Sequence, residues 1–153
     1  HCTSSAASDV YKRQYQTSKY ENSVQYIDEI PGIKEFIRTP NHYGYSIINY
    51  IKKNLTTSIN YVHTGKMKVP HFAGATNQIT SEIKTTKAFN ELSIKFSYNL
   101  PTADNSFDLY AGLKNIFNDY QNDFDIGKNR DSNYIYGPAQ PRTVYLGIKY
   151  NLN

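Results

Sequence analysis

The last ten or so residues constrain the fold more than any other part of the chain. Over Thr143 to Leu152, the residues Val144, Leu146, Ile148, Tyr150 and Leu152 alternate with Thr143, Tyr145, Gly147, Lys149 and Asn151. A strict period of two specifies an extended strand with two unlike faces. Phe107 to Phe117 alternates in the same way and is joined to this segment by a long polar loop. In a water-soluble domain the apolar faces of such strands pack under helices or a second sheet. Few segments here offer either cover, so the apolar face is expected to meet lipid.

Composition agrees with a sheet that has one greasy and one wet face. The 153 residues include 15 Tyr and 7 Phe but no Trp, and the mean hydropathy is -0.66. Roughly 18 consecutive apolar residues are needed for a membrane-spanning helix, and no stretch approaches that, so any crossing must be made by strands. Outer-membrane strands are about ten residues long and have lipid-facing side chains only at alternate positions. The net charge of +4 comes from scattered Lys and Arg rather than a basic stripe, which argues against nucleic acid as a partner. A single cysteine, Cys2, excludes an intrachain disulfide and a multi-cysteine zinc site. Residues 1–14 (HCTSSAASDVYKRQ) show no periodicity that continues past Tyr15, and they resemble a translated adaptor scar. They are expected to be non-native and disordered, with residues 15–153 forming the folded segment and the native start lying upstream.

Along that segment, Tyr15 to Tyr20 reads as the end of a strand and Glu21 to Arg38 as a loop. In that loop the Ile27, Ile30, Ile33 and Phe36 spacing fits a hydrophobic anchor or a brief helical turn. Tyr43 to Ile51 and Leu55 to Thr64 form a hairpin about a tight polar turn at Lys52, Lys53 and Asn54. A long loop over Gly65 to Ala88 comes next. Phe89 to Leu100 alternates most cleanly, Pro101 to Ser106 turns the chain, and Asn118 to Gln140 is another long loop. The expected architecture is all-β, an antiparallel meander of about six strands. Successive antiparallel strands put every second connection on the same side, so the long loops gather on one side and the short turns on the other. Bacterial outer-membrane barrels have this asymmetry. Pro40 and Pro141 fall just before strands, where a missing N–H does little harm, and Arg38 and Arg142 beside them would sit at the membrane rim. A barrel with a filled lumen needs about eight strands, and open edges are not tolerated in lipid, so more strands are expected upstream.

Several motifs resemble the C-terminal strands of TonB-dependent outer-membrane receptors, particularly those typical of Bacteroidetes. They are Gly112-Leu-Lys-Asn-Ile-Phe-Asn-Asp-Tyr-Gln121, Asp123-Phe-Asp125, Arg130-Asp131, Tyr134-Ile-Tyr136-Gly137-Pro138 and Pro141-Arg142-Thr143. Arg38-Thr-Pro-Asn-His-Tyr-Gly44 and Val69-Pro-His-Phe-Ala-Gly74 look like earlier parts of the same wall. The terminus resembles the signal read by barrel-assembly machinery, carried by Tyr145, Gly147, Tyr150 and Leu152, although the chain ends in Asn153 where such proteins often end in Phe. The resemblance implies a fragment of a transmembrane barrel of about 22 strands in the Gram-negative outer membrane, taking up iron-siderophore complexes or similarly large nutrients. It also implies outer-membrane lipid, an extracellular nutrient and the TonB complex as partners, the last through an N-terminal box and plug that this segment lacks. No cofactor is implied.

On this topology Glu91, Ser93, Lys95, Ser97, Asp108, Tyr110, Lys114, Tyr145 and Lys149 face the lumen. Arg130, Tyr134 and Tyr136 near the apex of the last loop suit capture of a planar or anionic ligand, or else belong to the interfacial aromatic girdle. Asp123, Asp125 and Asp131 with Asn122 and Asn129 supply hard oxygen ligands for calcium but lack the EF-hand order. His42, His63 and His71 match no compact metal-ligand spacing. No nucleophile triad, nucleotide loop or catalytic carboxylate pair is present, so enzymatic activity is not expected. The competing readings are a soluble β-sheet module that binds through its long loops and, more remotely, an outer-membrane barrel enzyme.

Overall fold

The computed structural model describes residues 7–15, 19–76, 78–102 and 105–152. It is all-β and antiparallel, with ten strands: β1 (Ala7–Tyr15), β2 (Lys19–Val24), β3 (Ile33–Glu35), β4 (His42–Lys52), β5 (Leu55–Thr64), β6 (Lys68–His71), β7 (Glu82–Thr85), β8 (Phe89–Pro101), β9 (Asn105–Lys114) and β10 (Thr143–Leu152). A six-stranded sheet runs β1-β4-β5-β8-β9-β10, and β2-β3 and β6-β7 are separate two-stranded hairpins. The sheet is open among the described residues, with β1 and β10 at its edges.

Side-chain alternation sets the register. Ile48, Ile59, Ile94, Leu113 and Val144 lie opposite one another in one row across the sheet, and Tyr50, Thr57, Phe96, Ala111 and Leu146 in the next. Lys52, Leu55, Tyr98, Leu109 and Ile148 form a third row, and Leu100, Phe107 and Tyr150 close the face at the short-turn end. A slip of one residue in any strand would reverse its faces. Nothing covers this apolar face among the described residues. Leu55, Ile59, Ile94 and Leu113 on it are half-buried, and exposure rises to 83% at Leu146.

The buried apolar side chains lie elsewhere. Met67, Val69 and Tyr134 form one cluster with Tyr136 packed against it, and Phe89 and Ile27 are the remaining buried apolar residues among those described. All belong to the end of the sheet from which the long connections leave. The packed interior is therefore built by the connections.

Several expectations need correction. Ala7 to Gln14, expected to be disordered, run in β1 and pair with Tyr43 to Tyr50 of β4; residues 1–6 lie outside the described residues. The strand expected at Tyr15 to Tyr20 is displaced toward the N-terminus, and Lys19 and Tyr20 instead open β2. The loop from Glu21 to Arg38 holds the β2-β3 hairpin rather than a helical turn, and Ile27 is its buried anchor. The loop from Gly65 to Ala88 holds β6 and β7. Pro70 hides that strand from a sequence reading, yet it is tolerated where β6 pairs along its length with β7 alone and its other side makes only the Ile37–Lys68 bridge. Finally, β9 stops at Lys114, before Phe117. Asn115 and Asn118 take φ of 49° and 56°, a left-handed conformation that Asn tolerates better than most residues, and this swings the chain off the sheet.

Candidate ligand site at the long-connection end

Three connections meet above the sheet: the link carrying β2-β3, the link carrying β6-β7, and the link from β9 to β10, which includes a 3-10 turn at Ser132–Tyr134. Arg38 N donates to Lys68 O at 2.7 Å, and the Arg38 guanidinium donates to Asn133 O, so the first link touches both others. His71 Nε2 lies 3.0 Å from Asp125 Oδ2, and the imidazole stacks on the Tyr134 ring with centroids 3.8 Å apart. Phe72 N donates to Asp131 Oδ2 at 2.9 Å, Asn133 N donates to Asp131 Oδ1 at 2.8 Å, and Asp131 N donates to Asp125 Oδ2 at 2.9 Å.

Gln121 is fully buried and fully satisfied. Its amide donates to Tyr134 O at 2.9 Å, while its carbonyl accepts Tyr136 N at 2.9 Å and Gly137 N at 3.1 Å. Asn115 is 3% exposed. Its amide donates to Gln140 O at 2.9 Å, and its carbonyl accepts Asp119 N at 3.1 Å. These two amides tie the connection back to the strand end, which gives the Asn115-Ile-Phe-Asn118 motif a mechanical role. Buried polar groups persist when paired like this.

The tyrosines expected to capture ligand are built into this body. Tyr134 is 1% exposed. Its hydroxyl donates to Asp123 Oδ2 at 2.7 Å and accepts from Lys84 Nζ at 2.9 Å. The Tyr136 hydroxyl reaches both Asp123 oxygens, at 2.8 and 3.0 Å. Burial raises the pKa of both phenols, and the Asp123 carboxylate beside them raises it further. Burial works against the Asp123 charge, but the hydrogen bonds from Tyr134, Tyr136 and Gln121 and the charge of Lys84 outweigh it and hold the carboxyl below its ordinary 3.8. Arg130 is exposed. Of the expected trio Arg130, Tyr134 and Tyr136, the two tyrosines are thus packed together in the loop body, where both line a cavity beside Lys84 and Asp123.

The acidic residues considered for calcium are engaged with neighbouring donors, and among the described residues no group of three His, Cys, Asp or Glu side chains is placed to hold a metal ion. His63 Nδ1 pairs with Asn90 Oδ1 at 2.8 Å, apart from the His71 contact with Asp125.

On the sheet itself, Glu91, Ser93, Lys95, Ser97, Asp108, Tyr110, Lys114, Tyr145 and Lys149 share the face opposite the apolar rows. Asp108 accepts from Asn99 at 2.6 Å and Asn151 at 2.8 Å. Tyr145 stands opposite Gly112 and Tyr110 opposite Gly147, and each ring lies where the partner glycine's Cβ would be. Lys95 and Lys114 sit over the Tyr110 and Tyr145 rings at 5.2 and 5.6 Å. Two residues of the terminal motif, Tyr145 and Gly147, thus belong to a reciprocal lock between β9 and β10. Tyr150 lies on the other face, 4.8 Å from the Phe107 ring, and the backbone of Leu152 closes β10.

Lys84, the buried roles of Gln121 and Asn115, and the pairing of His71 with Asp125 escaped the sequence reading. Asn115 and Gln121 lie in the Gly112 to Gln121 motif, which carried no sign of their burial, and Lys84 had no local signal at all. No family model, curated protein or solved structure matches the chain.

Proposed function

We propose that this chain is part of the wall of a TonB-dependent receptor in the Gram-negative outer membrane, and that the complete protein takes up iron-siderophore or similarly large nutrients. One observation carries the membrane part of the reading: a six-stranded sheet has one bare apolar face and one polar face, while the packed interior is gathered at the long-connection end. In water an apolar patch of that extent is a liability or a contact surface. In a bilayer it is the exterior of a wall. Strands β4, β5, β8, β9 and β10 have 11, 10, 13, 10 and 10 residues, against the roughly 9 to 11 that a tilted strand needs to cross the hydrocarbon. The apolar face becomes polar toward the long connections, where the Tyr61 hydroxyl and His63 both bond Asn90, and it is aromatic toward the short turns at Tyr98, Phe107 and Tyr150. This matches an apolar band with interfacial girdles. The receptor assignment adds the resemblance of the Gly112 to Gln121 and Pro141 to Thr143 motifs, with the TonB complex and barrel-assembly machinery as the partners it implies. On this reading further strands complete the wall.

Solubilisation tests the membrane part. The expressed chain is expected to need detergent for extraction and to acquire β-structure only in micelles or bilayers. A monomeric, folded chain in plain buffer would overturn it and favour a soluble sheet that binds through its long connections.

A further inference from the structure

The β2-β3 hairpin and the start of β6 line a cavity of about 340 Å3 that lies off the sheet faces and shares only Met67 with the Tyr134 cluster. Its size falls in the range of roughly 300 to 1,000 Å3 usual for small-molecule sites. Phe36, Pro40 and Met67 give it an apolar lining, and three lysines line it against one acidic residue, Glu35: Lys19 and Lys66, which are exposed, and Lys68. None of those lysines has an ion-pair partner within 4.0 Å among the described residues, where the ion pairs are His71–Asp125, Lys84–Glu82 and Lys87–Asp119. Lys68 is half-buried, and its Nζ donates to Thr85 Oγ1 at 2.8 Å.

The walls are fixed by backbone bonds rather than by the lysines. Met67 N donates to Thr86 Oγ1 at 3.0 Å, and Thr86 N donates to Met67 O at 2.9 Å. Asn41 N donates to Lys66 O at 3.2 Å, and Arg38 N to Lys68 O at 2.7 Å. Like charges around a formed cavity repel one another, and a bound anion relieves that repulsion in a setting less polar than water.

We propose that this cavity binds a small organic anion, a phosphate or carboxylate carried on an apolar body, with the lysines around the charge and Phe36 and Met67 against the body. The inference rests on the cavity alone and holds whether or not the sheet meets lipid. Met67 is the only methionine of the chain, so a 13C-methyl label on methionine gives one resonance, located in the cavity lining. The folded full chain is titrated with 2-naphthyl phosphate and, separately, with uncharged 2-naphthol. A saturable shift with the phosphate and none with the naphthol is expected. Replacing Lys66→Gln and Lys68→Gln together should weaken the phosphate at least about tenfold, Lys66→Arg with Lys68→Arg should restore it, and Lys52→Gln with Lys53→Gln at the opposite end should leave it unchanged. Lys19→Gln alone, which leaves the fixed wall untouched, should weaken binding measurably and keeps the test decisive if the double Gln variant fails to fold. An unmoved Met67 signal, equal response to naphthol, or unchanged affinity in the Lys66, Lys68 and Lys19 variants would overturn the proposal.

Discussion

Single side chains set the stability of the loop body. Asp123 is the acceptor on which Tyr134 and Tyr136 converge. Asp123→Asn removes the charge and replaces one acceptor oxygen with a donor. Hydrogen bonds to charged groups contribute about 1.5–3 kcal/mol, and because Asp123 is partly solvated the expected loss is about 1 kcal/mol. Tyr134→Phe should cost more, about 2 kcal/mol, because it removes the hydroxyl that a side chain only 1% exposed donates to the Asp123 carboxylate. Amide hydrogen exchange at Gln121 and Tyr136 would show both losses. The pH dependence comes from the same groups. The carboxyl of Asp123 is held below 3.8, so its stabilisation is present above that value and is lost as pH falls through the folded value. The phenols are held above 10.0, so stability falls as pH rises past 10.0 and the unfolded chain's tyrosines ionise first. Protection of these amides should therefore fall at both extremes, and Asp123→Asn should remove Asp123's share of the acid limb.

Strands carry the two-faced character. If the apolar rows meet hydrocarbon, Arg placed there costs according to depth, roughly 2 to 4 kcal/mol at the midplane and about 0 to 1 near the interface. Phe96→Arg and Leu146→Arg, in a middle row, should therefore cost most. Tyr150→Arg, at the short-turn end, should cost least, and Lys95→Arg or Ser97→Arg on the opposite face almost nothing. Unfolding in detergent or bilayers would rank them, and equal tolerance on both faces would refute the assignment. The reciprocal lock between β9 and β10 offers a separate check. Gly112→Val puts side-chain atoms where the Tyr145 ring lies, and overpacking of that kind costs about 1–3 kcal/mol, read as lost protection of β10 amides.

Across the whole chain the interior and the sheet are distinct sources of order. The three long connections bind one another through His71–Asp125, Phe72–Asp131 and Arg38–Asn133, whereas the six strands are held by ladder bonds along their length. His71→Ala should lower exchange protection at Phe72 and Asp131 while the amides of β5 and β8 stay protected. A uniform loss would mean that sheet and connections fold as a single unit. The apolar face and the Lys19, Lys66 and Lys68 cavity open on different parts of the surface, so the detergent requirement and anion binding can fail independently.

Much of the sheet could be read from period-two alternation, because each strand there needs only its own pattern to declare two faces. Phe89 to Leu100 and Thr143 to Leu152 did so, and so did Pro40 and Pro141 just before strand starts. The reading lost accuracy where structure depends on distant partners. β6 carries a proline that is tolerated because, away from the Ile37–Lys68 bridge, that strand pairs only with β7, and β1 shows too little alternation to announce itself without β4. Tyr134 looked available in one dimension and is enclosed in three, since Asp123, Lys84 and His71 approach it from other parts of the connections. Local side-chain periodicity fixes a strand's faces, but the burial of a loop residue depends on which other loops fold over it, and no short window of residues contains that information.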